Sequence, residues 1–265
     1  NWCNRKDYDI EQITYTKWIE YQKILKDKSN KDRTVKHQIG IVRLFFDYLV
    51  EEDIIHLNPI KDINYKANTD YYHDHLSEEE LQELYFCYPT LDVKIPSCPS
   101  VAIRNKVIVG LVIFQAIDTN TLKKLTVDNI DLENRQIYIP STLRSNSRTL
   151  PIKPAQLNAL KDYLDNHRPI LQNKINCHTR ALFPLNTKRF TCITYGINKK
   201  LKTINLKVTN LKQIRSSVIT LWVKKYNLRT CQIMCGHRYI SSTERYLKTD
   251  KDSLEESTKK YHPMQ

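Results

Sequence analysis

Several absences narrow the possible functions before any motif is considered. No apolar run is long enough for a bilayer, whose core needs about 20 residues. The most apolar stretch, "VIVGLVIFQAI" from Val107 to Ile117, is short and carries Gln115, so it predicts a buried core helix. No signal-peptide pattern opens the sequence. The seven cysteines have no regular spacing. Cys231 and Cys235 stand on one predicted helix without a second pair to complete a zinc site, and His73 and His75 flank Asp74 without nearby thiols. All cysteines are therefore expected to be reduced and the compartment to be cytoplasmic. There is no internal repeat and no low-complexity tract. Acidic residues are also in deficit: 29 Asp and Glu face 42 Lys and Arg, a net charge of +13. The excess is spread along the chain with no basic tail. It favours a polyanionic partner such as DNA, RNA or an anionic membrane surface.

What is present is ordinary globular material, 40 % hydrophobic and 27 % charged over 265 residues, enough for one large domain or two unequal ones. Residues 1–68 read as a small all-helical domain. "TYTKWIEYQKILKDKS" places Trp18, Tyr21 and Leu25 at helical spacing. "DRTVKHQIGIVRLFFDYLVEED" does the same with Val35, Ile39, Val42, Phe46 and Leu49, and "HLNPI" is expected to close that helix because Asn58 precedes Pro59. Residues 69–76 read as a polar linker, and Ser77 with Glu80 forms a capping box that opens a second domain, 77–265.

In that second domain Ser100 is a candidate cap for the apolar helix. "NIDLENRQIYIPS" and "SRTLPI" read as strands joined through "TLRSN" as a hairpin. Pro154 opens a helix with Leu157, Leu160 and Leu164 on one face. "NLKQIRSSVITLWVKKY" and "LRTCQIMCG" predict two more helices, the latter stopped by Gly236, and "KDSLEESTKKY" a last one. The expected fold class is mainly α, with a mostly helical second domain holding a small antiparallel sheet.

A few polar residues could serve a phosphate. Lys212 and Arg215 are three apart on a predicted helix and share a face; a bound anion would offset their repulsion, although a solvated basic face gives the same pattern. His237 follows Gly236, whose turn can aim it, and nine residues later Tyr246 follows the hydroxyl-rich Ser241, Ser242 and Thr243.

Taken in order, these residues resemble the tyrosine recombinase (phage integrase) family. "LKQIRSSVITLW" is similar to its H-x-x-R motif, with Lys212 at the histidine position and Arg215 at the arginine. "MCGHRYISSTERYLKT" is similar to its Leu-Gly-His motif leading through Ser/Thr to the nucleophile, with His237 as the histidine and Tyr246 as the nucleophile. "TVKHQIGIVRLFFDYLVEEDIIHLNPI" resembles the core-binding domain, "HLSEEELQELY" the entry to the catalytic domain, and "KKYHPMQ" the close of the Xer-like branch.

The resemblance implies a site-specific recombinase or integrase that cleaves and rejoins DNA through a 3′-phosphotyrosyl intermediate, without metal, ATP or another cofactor. It would serve integration or excision of a mobile element or a related rearrangement. The implied partners are a double-stranded DNA recombination site, further copies of the chain (a dimer on a site, a tetramer in the synapse) and accessory DNA-bending proteins. No membrane partner is implied, and the bound enzyme would be nucleoid-associated. Arg33, Lys36, Arg43 and Arg148 are the candidate DNA contacts, and the last helix, with Leu254, could pack on a neighbouring protomer or on its own domain.

Two departures stand out. "FQAIDTNTLKKL" aligns with the family's Gly-Leu-Arg motif and puts Asp118 where an arginine should clamp the scissile phosphate. A charge pair at ~4 Å and an effective dielectric of ~20 is worth about 4 kcal/mol, so the sign change matters unless another cation substitutes or Asp118 points away. "PSTLRSNSRTLPI" also lacks the family's hairpin lysine; Arg144 lies nearest that slot, while Arg148 fits the family's ordinary basic position just before the second strand's proline. Arg144, Arg148 or Lys123 could supply the missing charge. The alternatives are a catalytically weakened relative that binds DNA sequence-specifically, and a type IB topoisomerase.

Overall fold

The computed structural model describes residues 2–28, 32–65, 75–90, 99–143, 145–176, 178–184 and 190–247. The chain divides into two units, Asn1–Tyr72 and His73–Gln265.

The first unit contains helices α1 (Trp2–Lys6), α2 (Tyr15–Lys28) and α3 (Asp32–Glu51). Val35, Ile39, Phe46 and Leu49 line one stripe of α3 and form the unit's core with Trp18, Leu25 and Ile60. The α3 stop comes earlier than Asn58–Pro59 predicts. Asp53 takes a left-handed φ of 54°, and the N–H groups of Asp53 and Ile54 donate back to Val50 and Leu49, a Schellman-type ending. Asn58 instead fastens the departing chain to α3. Its side chain donates to Asp47 Oδ1 at 2.7 Å and Arg43 O at 3.2 Å and accepts from Ile60 N.

The second unit opens with α4 (Glu78–Phe86), capped as expected: Glu80 N donates to Ser77 Oγ at 3.2 Å and Ser77 N to Glu80 Oε2 at 2.9 Å. Leu76, placed by sequence in the linker, is buried here and donates its N–H to Ser217 Oγ. The apolar stretch forms α5 (Pro99–Gln115), which is buried along most of its length. Ser100 does not cap it. Pro99 already belongs to the helix, and the Ser100 hydroxyl meets His167 Nδ1 at 3.1 Å.

A short helix α6 (Thr119–Leu122) follows, then strands β1 (Ile130–Asp131), β2 (Gln136–Ile139) and β3 (Arg148–Pro151), antiparallel in that order. "NIDLENRQIYIPS" is thus two strands, not one. Asp131 accepts from Asn134 and Arg135 takes φ 54°, so the segment reverses on itself. The β2–β3 hairpin forms as predicted, pairing Ile137 with Leu150 and Ile139 with Arg148. Alternation therefore turns Arg148 onto the same buried face as Leu150.

The remaining helices are α7 (Pro154–Asp162), α8 (Arg168–Lys174), α9 (Phe190–Ile204), α10 (Leu211–Lys225) and α11 (Leu228–Cys235), then α12 over residues 241–247. One π turn, Tyr163–His167, joins α7 to α8. The predicted Leu157–Leu160–Leu164 face packs on the core. The amides of Gln115 and Gln156 bond reciprocally at 2.8 and 3.0 Å, and Gln115 also reaches Pro151 O. The polar residue in the apolar stretch thus ties the end of α5 to the hairpin and α7. Most of the predicted linker and the predicted last helix, with Leu254, lie outside the described residues. Among the described residues no helix is long and apolar enough to cross a membrane.

Candidate active site

Asn210 starts α10 by accepting from Gln213 N at 3.0 Å. Leu211, Ile214 and Val218 are buried on one face, and Arg215 flanks that stripe, half-buried. Its Nε donates to Ala116 O at 2.7 Å, so α10 grips the chain just beyond α5. Ala116 has a left-handed φ of 49°, which glycine would adopt with least strain. That turn sits where the aligned motif has its glycine, so the backbone supports the register that places Asp118 two residues later.

α11 ends at Gly236, with φ 70°. Gly236 N donates to Ile233 O and His237 N to Gln232 O, both at 3.0 Å. The buried Gln232 side chain donates to the carbonyls of His237 and Arg238 and is itself held by Arg229. His237 Nδ1 lies 2.9 Å from the hydroxyl of fully buried Thr243, which fixes the ring. The ring of Tyr246 on α12 lies nearly parallel to it, 10° between planes and 6.1 Å between centroids.

The hairpin tip closes against the same turn. Asn146 N donates to Gly236 O at 2.8 Å, Ser145 bridges to His237, and Arg238 Nη2 donates to Thr142 O at 3.1 Å.

The electrostatics follow from this crowding. Burial, reinforced by Arg215 and Arg148, lowers the His237 pKa to about 4, so the imidazole is neutral at pH 7. Burial raises the Tyr246 pKa, opposed by Arg215 and by a hydrogen bond with Ser216. The phenol therefore carries its proton until attack. Burial and neighbouring Arg215 lower the Arg148 pKa to about 10, which leaves it charged. Burial pushes the Cys235 thiol up to about 12, so it packs as a neutral group.

Asp118 is not aimed as a phosphate clamp. Oδ1 accepts from Asn120 N at 2.9 Å and Thr121 N at 3.0 Å, and Oδ2 from Thr121 Oγ1 at 2.7 Å. It is the N-cap of α6. Burial alone would raise its pKa, but the Thr121 and Asn120 hydrogen bonds and nearby Arg215 outweigh that and hold it low.

The profile of the phage integrase family matches residues 74–253, which include Asp118, Arg148, Arg215, His237 and Tyr246. The chain belongs to the phage integrase family. It is a tyrosine-type site-specific recombinase. Tyrosine recombinase XerD of Oceanobacillus iheyensis (strain DSM 14371) is 26 % identical over 268 residues, covering 97 % of this chain and 86 % of that protein. The XerH site-specific recombinase, bound to a palindromic difH substrate in a post-cleavage complex, shares the fold with a TM-score of 0.73, 21 % identity and coverage of 94 % and 73 % of the two chains. The Tn1549 transposon integrase in complex with a circular intermediate DNA gives a TM-score of 0.68 at 15 % identity, with coverage of 94 % and 87 %.

Within the recombinase fold, Arg215, His237 and Tyr246 converge as the motif order suggests. Lys212 does not join them in the same way: it is exposed, and the cations acting on His237 are Arg215 and Arg148. Arg144 lies outside the described residues. Arg33 and Lys36 are exposed on α3 in the first unit. Arg43 is half-buried on α3, and its guanidinium donates to Ile63 O. Arg148, expected as a DNA contact, is 6 % exposed and sits inside the site. The sequence does carry a signal for this: Arg148, Leu150 and Ile152 alternate, which turns all three inward. Gln232, Thr243 and Ser216 have no such signal, because their roles depend on contacts across the α11–α12 turn or between helices. Among the described residues no three His, Cys, Asp or Glu side chains group as a metal site needs.

Proposed function

We propose that this recombinase cuts and rejoins DNA at specific sites with Tyr246 as its nucleophile. The observation that carries the proposal is the convergence of Tyr246 on α12, neutral His237 at the α11 ending and Arg215 on α10. The Tyr246 oxygen attacks a backbone phosphorus, the bond to the 5′ oxygen breaks, and a 3′-phosphotyrosyl link forms. The phenol loses its proton and the departing 5′ oxygen gains one, leaving a 5′-hydroxyl. The link conserves the phosphodiester energy, so a 5′-hydroxyl from another strand can reverse the step on a new partner. Arg215 stabilises charge on the phosphoryl oxygens as it develops. His237 is neutral and held by Thr243, so it can exchange a proton or donate from its ring without first losing a charge.

Repeating the exchange on the second strand would complete recombination, in a dimer on each site and a tetramer in the synapse. Integration or excision of a mobile element is the reaction class proposed.

Asp118 favours a second reading, a sequence-specific DNA binder with a decayed site. One experiment separates the two. Duplexes selected from a random pool by binding to the protein are nicked to make suicide substrates. A covalent adduct in wild type, absent in Tyr246→Phe, is expected. Binding without an adduct would support the second reading.

A further inference from the structure

The Nε, Nη1 and Nη2 nitrogens of Arg148 are all buried, and none has a hydrogen-bond partner among the described residues. The side chain is 6 % exposed. An unpaired buried charge is among the costlier features a fold can carry, and neighbouring Arg215 adds repulsion. An anion between the two guanidiniums would remove both costs, because a guanidinium donates to phosphate oxygens through a planar, two-pronged face.

The guanidinium also lies among the residues of the candidate site. A Cβ on Gly236 would stand 2.3 Å from Arg148 Nη1, so the guanidinium lies against the turn that presents His237. Ser145, on the same hairpin, bridges to His237. Of the other candidates for the missing charge, Arg144 lies outside the described residues. Lys123 directs its Nζ over the Phe190 ring, 5.6 Å from its centroid. Lys212 is exposed. Asp118 acts on Arg148 only through space: its charge raises the Arg148 pKa in part, against the larger effect of burial, while its oxygens accept from Asn120 and Thr121 and no hydrogen bond among the described residues reaches the Arg148 nitrogens.

We propose that Arg148 is the guanidinium that holds the scissile phosphate in place of the family's first arginine, donating to a nonbridging oxygen while Asp118 only caps α6. This rests on the reading of Tyr246 as nucleophile.

Arg148→Met tests it. A structural role predicts lost stability, whereas a phosphate-binding role leaves an unpaired buried charge to be removed, so the melting temperature should hold or rise. Cleavage of the selected nicked duplex should fall by about 100-fold or more, the scale of losing one preorganised donor. A methylphosphonate at the scissile position carries no negative charge, so there the deficit should shrink to about 10-fold or less. Wild-type rates in Arg148→Met would overturn the assignment. So would a variant that fails to fold, or a deficit that methylphosphonate leaves unchanged. If wild type itself forms no Tyr246 adduct, the parent reading falls and this one with it; an adduct that Arg148→Met matches removes Arg148 alone.

Discussion

At the scale of single residues, Asp118 is the N-cap of α6. Its carboxylate satisfies two free amides and a hydroxyl at the start of α6. Asp118→Ala should therefore cost about 1 kcal/mol of stability and Asp118→Asn much less, since asparagine caps nearly as well. Urea denaturation measures both; equal stability for Ala and wild type would contradict the capping role. His237 makes a pH prediction. Its pKa drops from the ordinary 6.5 to about 4 on folding. Between those values the unfolded chain binds a proton that the folded chain refuses, so its contribution to stability is present above pH 6.5 and is lost as pH falls toward 4. Thermal melting across that window should show a shallower decline in His237→Gln than in wild type. Parallel curves would mean that the imidazole is not desolvated.

At the scale of elements, the hairpin, the α11 ending and α12 form one assembly joined at Gly236. Its φ of 70° suits glycine, and an added Cβ would meet Arg148 Nη1 at 2.3 Å and Asn146 O at 2.9 Å. Gly236→Ala should cost more than about 2 kcal/mol, from left-handed strain together with overpacking, and should reduce cleavage along with stability. A denaturation midpoint within error of wild type would show that the turn relaxes freely.

The same assembly marks how far the sequence can be read. Ser77–Glu80, the α3 stripe and the Gly236 stop are legible because each depends on neighbours a few residues apart. The reversal at Leu132–Arg135 is not, because Asp131 and Asn134 also fit a continuous polar edge. α9 escapes prediction because "FTCITYG" opens it with β-branched residues and a glycine, although Phe190, Ile197 and Leu201 fall on one buried stripe. The motif residues Arg215, His237 and Tyr246 can be found by spacing. The hydrogen bond between His237 and Thr243 and the unpaired donors of Arg148 cannot, because they depend on which faces meet after folding.

For the whole molecule, the +13 charge and the proposed action on DNA imply that phosphate contacts dominate affinity. Binding to the selected duplex should weaken by at least about 100-fold between roughly 50 and 200 mM salt, with a linear slope in log–log form. Arg33→Ala and Lys36→Ala should each flatten that slope by about one if the side chain contacts a phosphate. A slope near zero would remove electrostatics as the source of affinity. The central claim, however, is chemical: Tyr246 becomes bonded to DNA. Its most direct test is digestion of the trapped protein–DNA complex followed by mass spectrometry of the linked peptide. The account predicts a 3′-phosphonucleotide on Tyr246. A linkage at another residue, or a 5′-phosphate linkage, would contradict it.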